Sequence, residues 1–390
     1  MFLLSNRKHE RRWQSAPRES RRIVVYVVLY APTLVTDTLS LTSLRSVVAT
    51  KLNNELEGWL ASVENLDGVH AQAVIAPHAG YSYSGPAAAH AYGHIDASLV
   101  YARFWRFSWR MRLMCTCRDR VYVLGPSHHI YIKGCALSTF DEYQTPLGNL
   151  KLDQQGTRAL GQHYRLLIVN IYTAEIARLH ATGRFEWMTD EVDTEEHSIE
   201  MHLPYIYKVM KECELGLLWR LCAYWLSRKG APYSIVPILV GALSDEREAL
   251  YGQLLAPLLS NPRNLFIISS DFCHWGRRFN FCPHEPSLGP IHATIDKLDR
   301  EAMAIIETLD PVAFQAYISR THNTICGRHP IAVLLFALES LNKAAPGSFS
   351  LKFTRYTRSS EVTRTNDSSV SYASAVCTSG DASSQLQLEA

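Results

Sequence analysis

Arg120–His129 reads R-V-Y-V-L-G-P-S-H-H, and its reading decides the fold. Val121–Leu124 are β-branched, aromatic or apolar without alternation, the pattern of a strand buried on both faces. Gly125-Pro126 then fixes backbone angles that end the run, so paired imidazoles are expected at a strand's carboxyl end. The pattern recurs twice. Ala71–Ile75 is an apolar run broken by Ala76-Pro77 and followed by His78. Leu265–Ile268 runs into S-S-D-F-C-H-W-G, which carries Asp271 and His274. In open α/β sheets ligands collect beyond the carboxyl ends of parallel strands, so His78, His128 and His274 are expected in one crevice. A lone histidine is more often a satisfied polar residue than a ligand; three at like positions carry the argument together.

The composition fits this frame. With 390 residues, 47% hydrophobic and 19% charged, the chain can bury a large core. A net charge of +2 gives no field that argues for nucleic acid or a membrane surface as the main partner. Nine scattered cysteines form neither a disulfide framework nor a zinc ribbon, which favours a reducing compartment.

Outward from these strands, Leu41–Val63 has the apolar spacing of an amphipathic helix. Pro86 suits the first turn of a helix over Ala87–Gly93. Met1–Arg22 is basic, and Ile23–Val35 is an apolar run too short to span a bilayer as a helix. Tyr101–Arg120 alternates aromatic residues with Arg and reads as a surface insertion, as does Glu214–Pro232. In D-E-V-D-T-E-E-H-S-I-E-M-H (190–202), His197 and His202 are five apart, so this is not a zinc helix of the H-E-x-x-H type. Asp193, Glu195 and Glu196 there suit a negatively charged helix start or rim. Pro237 within Ser234–Val240 predicts an edge strand or a bulge. Glu246–Leu255 reads as a helix that stops before Pro257. Cys326 precedes the helix Ile331–Leu341, a position that lowers a thiol's pKa, with Arg328 and His329 adding to the effect. A short strand is expected over Val370–Ala375, and disorder from Thr378 onward.

I-A-P-H-A-G-Y, L-G-P-S-H-H, E-E-H-S-I-E-M-H-L-P-Y, S-S-D-F-C-H-W-G, N-T-I-C-G-R-H-P-I and D-S-S-V-S-Y-A occur in that order. Together they resemble the Memo family, mediators of receptor-tyrosine-kinase-driven cell motility. The resemblance implies a single α/β domain over 51–376, with a central mostly parallel or mixed sheet flanked by helices, like that of class III extradiol dioxygenases. It implies one iron or copper ion on His78, His128 and Cys326, with His274 as acid/base and Asp271 nearby. Cysteine replaces the carboxylate of the dioxygenase triad, and a thiolate shifts preference toward softer metals. Tyr83, His129, His197, His202 and Arg328 complete the expected pocket. Two functions follow as expectations: a cytoplasmic and nuclear signalling mediator that binds a phosphotyrosine peptide or signalling protein, or a metal-dependent redox enzyme. Residues 1–50 do not match the family's short start, which carries a Trp. The stretches 101–117, 165–178 and 215–231 read as insertions, and 377–390 as a tail.

Overall fold

A computed structural model describes residues 22–24, 41–64, 70–102, 113–154, 174–210 and 233–380. The first elements are β1 (Arg22–Val24), α1 (Leu41–Ala61), β2 (Ala71–Ala76), α2 (Tyr81–Tyr92), β3 (Ser98–Ala102), β4 (Leu113–Cys117) and β5 (Arg120–Pro126). Next come β6 (Cys135–Leu137), β7 (Glu142–Gln144), β8 (Asn149–Lys151), α3 (Glu175–His180), β9 (Phe185–Trp187), α4 (Asp190–Glu195), α5 (His197–Glu200) and α6 (Leu203–Met210). The chain continues through β10 (Ser234–Val240), α7 (Asp245–Leu259), β11 (Asn264–Ser269), β12 (His274–Trp275), α8 (Ile291–Glu307), α9 (Pro311–Thr321) and α10 (Arg328–Ala344). It closes with β13 (Phe349–Arg358) and β14 (Ser369–Ser379).

The expected apolar runs become the parallel centre of one sheet. Among the described residues nine strands join in the order β12-β14-β2-β11-β5-β10-β6-β9, with β13 paired to β14. The pairs β2/β11, β11/β5 and β5/β10 are parallel, whereas β14 on one side and β6 on the other run antiparallel. Every residue of β2 and β11 is buried, as strands covered on both faces must be. Burying each large aliphatic side chain there contributes roughly 1.5–3 kcal/mol. Helices flank the sheet: α10 lies against β5 and β11 and packs along α7, while α2 lies against β2, β13 and β14 and carries α1. The α1/α2 contact is so close that a Cβ at Gly85 would sit 2.3 Å from the Trp59 ring. This is the single α/β domain with a mixed sheet that the resemblance implies.

At the strands' amino ends, buried Arg118 donates from Nε to the Asp96 carbonyl (2.9 Å) and from Nη1 to the Asn264 carbonyl (2.7 Å). Its Nη2 reaches the Ala71 carbonyl. One guanidinium thus ties the starts of β2 and β11 together, at the end away from the histidines.

Five local expectations are corrected. Pro237 lies in an interior strand; it falls between the bridge at Ile235 and the β6 ladder that begins at Ile238, where its missing N–H disrupts neither. Strand β5 runs on through Gly125 and Pro126, both in register with β10. Helix α2 begins at Tyr81, not Ala87, so Pro86 lies inside it. Helix α7 continues past Pro257 to Leu259, its last turn lacking the one i→i−4 hydrogen bond that proline cannot donate. Strand β14 extends through Thr378 and Ser379, held by both β13 and β2.

Most of residues 1–40, together with 103–112, 155–173, 211–232 and 381–390, lies outside the described residues, and with them the centres of the three expected insertions. The ends of the first, Ser98–Ala102 and Leu113–Cys117, pair as antiparallel β3 and β4. Among the described residues no helix is long and apolar enough to cross a membrane.

Candidate functional site

Because β11 lies between β2 and β5, the carboxyl ends of these three strands stand side by side. His78 follows β2, His128 follows β5, and Asp271 follows β11 before the chain turns back to present His274 in β12. His78, His128, His129, His197, Asp271 and His274 all line one cavity of ≈ 860 Å³. The rings of His78 and His128 are 5.1 Å apart, and His197 from α5 stacks on His128 at 4.5 Å. One ring nitrogen from each of His78, His128 and His197 lies within 4.8 Å of the others.

Hydrogen bonding fixes which nitrogen of each ring is free. The Ser269 hydroxyl donates its one proton to the Ser198 carbonyl (2.7 Å), so toward His78 Nδ1, 2.6 Å away, it can only accept. His78 therefore carries its proton on Nδ1 and keeps a lone pair on Nε2. His128 Nδ1 lies 3.0 Å from Glu196 Oε1, and its backbone N–H donates to Oε2 at 2.9 Å. Burial alone would raise Glu196, but these bonds and one from the Ser198 N–H bring its pKa down to about 2. An ionised carboxylate only accepts, so His128 too leaves Nε2 free. His274 Nδ1 faces two acceptors, the carbonyls of Phe272 (2.8 Å) and Thr324 (3.0 Å), with the same result. An acceptor behind each imidazole is the usual support of a metal-binding histidine. Burial first, then repulsion from His128, His197 and His274, holds the His78 pKa well below its ordinary value, so the ring is neutral.

Cys326 lies directly under His78, its Sγ 3.4 Å from His78 Nε2 and accepting from the Asp271 N–H at 3.2 Å. Asp271 in turn accepts from the His78 N–H through Oδ1 at 2.9 Å. Gly327 makes this stacking of loops possible: a Cβ there would sit 2.3 Å from Ser270 Cβ and 2.4 Å from the Ser269 carbonyl. The expected depression of the Cys326 pKa is corrected. Burial, then the Asp271 charge, push the thiol well above its usual value. His329 turns instead to Glu248, Nδ1 to Oε1 at 2.6 Å, and Arg328 is exposed.

Of the other expected pocket residues, His129 and His197 line the cavity, whereas Tyr83, His202 and Arg328 do not. Tyr83 is exposed. His202 is buried behind the site, where Nδ1 meets the Tyr92 hydroxyl at 2.7 Å; burial brings its pKa down to about 3. The five-residue spacing explains the split, since it turns His202 away from the side His197 faces. Four contributors were not anticipated from the sequence. Glu196, which sequence alone places on a charged rim, holds His128, and Glu200, Arg278 and Phe279 line the cavity. Glu200, three residues after His197 in α5, was legible as lying on the same helical side.

A family model described as Memo-like protein matches residues 46–376. The chain is 42% identical over 328 residues to human "Protein MEMO1", which covers 84% of this chain and 92% of that protein. It is 43% identical over 323 residues to the Danio rerio protein of that name, with 83% and 90% covered. "Protein memo-1 homolog" of Caenorhabditis elegans is 39% identical over 326 residues, covering 83% of this chain and 77% of that protein.

Proposed function

The chain belongs to the Memo family, and from that premise we propose that its histidine pocket holds one redox-active metal ion and serves in relaying receptor-tyrosine-kinase signals to the cytoskeleton. The observation that carries the metal reading is the convergence of imidazole lone pairs: His78 and His128 each have Nδ1 tied to an acceptor and Nε2 left open. Cys326 supplies the third donor, since its sulfur is already 3.4 Å from His78 Nε2 and the Asp271 N–H supports a developing thiolate. His197 competes for that place. This donor set suits iron or copper, which would supply electron-transfer and oxygen-binding chemistry when bound.

Metal analysis of the full-length protein, purified without oxygen, tests the reading. About one iron or copper ion per chain is expected, lost in His78→Ala and His128→Ala. Unchanged metal content in both variants refutes it. Comparison of Cys326→Ala with His197→Ala identifies the third donor.

For the signalling role, the partner is a phosphotyrosine peptide or a phosphotyrosine-bearing protein. Arg278 supports this, because it lines the cavity with its guanidinium 4.4 Å from the Phe279 ring, offering a cation and an aromatic face together. Calorimetry with a phosphotyrosine peptide should show binding that Arg278→Ala weakens; equal binding of the unphosphorylated peptide refutes it.

A redox enzyme is the second reading, favoured by His274. Its fixed Nδ1–H leaves Nε2 as a base beside His78 and Asp271. Metal-dependent oxygen uptake that is abolished by His274→Ala would favour it over the mediator.

A further inference from the structure

Glu200 has no part in the metal reading, yet it forms part of the wall between two cavities. It lines the histidine pocket and also a small second cavity lined by Tyr143, Asp193, Glu196 and Leu203. The free space in this second cavity, ≈ 10 Å³ for the centre of a water, suits about one molecule. Asp193 is only 9% exposed. Its Oδ1 accepts from the Tyr143 hydroxyl, and its buried Oδ2 has no hydrogen-bond partner among the described residues. Glu200 Oε1 is likewise buried and without a partner. Glu196 is not a third member, since its oxygens are taken by His128 and Ser198.

Two ionised carboxylates facing one enclosed space, each with an orphaned oxygen, carry both a desolvation and a repulsion penalty. Protonation of one of the two removes the repulsion and turns its orphan acceptor into a donor, while the other stays a carboxylate. One enclosed water can then accept from the acid and donate to the carboxylate.

We propose that Glu200, backed by Asp193 across a single enclosed water, is a proton-carrying group that serves the occupant of the histidine cavity. The occupant it suits bears a hydroxyl or phenol oxygen. A proton leaving that oxygen forms a new O–H bond on Glu200, while the proton Glu200 held passes to the water, and one from the water passes to Asp193, which starts as the carboxylate and ends as the acid. Each transfer breaks one O–H bond and makes another, so no oxidant or reductant is involved. Glu200 touches the occupant, and Asp193 acts through it. Burial raises Glu200 to about 7, and raises Asp193 to about 6 against the hydrogen bonds of Ser138 and Tyr143, so near neutrality Glu200 is the one that holds a proton and Asp193 the one that can receive it. The inference goes beyond the metal reading, as neither carboxyl is among the proposed ligands.

Infrared spectroscopy of the full-length, metal-free protein, with glutamate carboxyls labelled with carbon-13, tests this directly. A protonated, isotope-shifted carboxyl band should be present at pH 6, fade as pH rises through neutrality, and be lost in Glu200→Gln. In Asp193→Asn the Glu200 band should persist with a changed titration midpoint. Absence of the labelled band in the wild type at pH 6 overturns the proposal even if no variant folds. It is also overturned if titrated magnesium or calcium binds the wild type and not Asp193→Asn, since the cavity would then hold a cation. Because the measurement is made without bound metal, its failure leaves the histidine site untouched.

Discussion

Glu196 holds His128 by both ends, one carboxylate oxygen 3.0 Å from ring Nδ1 and the other accepting the backbone N–H at 2.9 Å. The pair ties the amino end of α5 to the carboxyl end of β5 and sets the direction of the His128 lone pair.

Replacing Glu196 with Ala should therefore weaken metal binding about 10–100-fold, the range typical of lost outer support for a ligating histidine. Competition with a chelator measures it. Affinity equal to the wild type would mean that His128 needs no such support.

Cys326 should resist alkylation. Its thiol is held well above the usual pKa by burial and by Asp271, so the reactive thiolate is scarce at neutral pH. Cys282 is exposed. Mass spectrometry after brief iodoacetamide treatment of metal-free protein should find Cys282 modified and Cys326 intact; the reverse order would contradict the burial argument.

Gly327→Ala should destabilise the protein by at least about 1–3 kcal/mol, the usual cost of overpacking, because backbone as well as side-chain atoms stand in the way of the new methyl. Chemical denaturation reads the loss. The strain falls between Cys326 and Asp271, so metal content should drop as well.

The stability contributed by Glu200 and Asp193 should decline as pH rises through the 5–7 range, opposite in sign to the contribution of the buried, neutral His78 and His202. Glu200 and Asp193 have folded-state pKa values of about 7 and about 6, raised by burial above their unfolded values. The folded state thus holds protons that the unfolded state has released, a contribution complete below the unfolded values and lost as pH climbs through the folded ones. For Glu200 this amounts to on the order of 1–3 kcal/mol. From pH 5 to pH 8 the denaturation midpoint of the wild type should fall further, or rise less, than that of Glu200→Gln; an identical pH response in the two proteins would refute the Glu200 contribution.

What the sequence disclosed, and what it hid, follows from the range of the interactions. The strands before His78, His128 and Asp271 were legible because burial on both faces forces an uninterrupted apolar run. The partners of those histidines were not, since Ser269 lies 191 residues from His78, and Glu196 lies 68 from His128. Cys326 shows a local rule overruled: its place before a helix argues for an acidic thiol, yet packing under His78 and Asp271 decides the other way. Pro237 is similar, because residue type alone argues for an edge, and only the ladder shows the gap that accommodates it.

Strand β2 has a further consequence. Its two neighbours, β11 and β14, come from residues 264–269 and 369–379. The first-made strand of the sheet's centre must therefore wait on the ribosome for both of its partners, so His78 gains Ser269, Asp271 and Cys326 only when synthesis is nearly over. Assembly of the cavity is a late event in the protein's biogenesis, and premature termination anywhere upstream of β11 yields a polypeptide without Ser269, Asp271, His274 and Cys326.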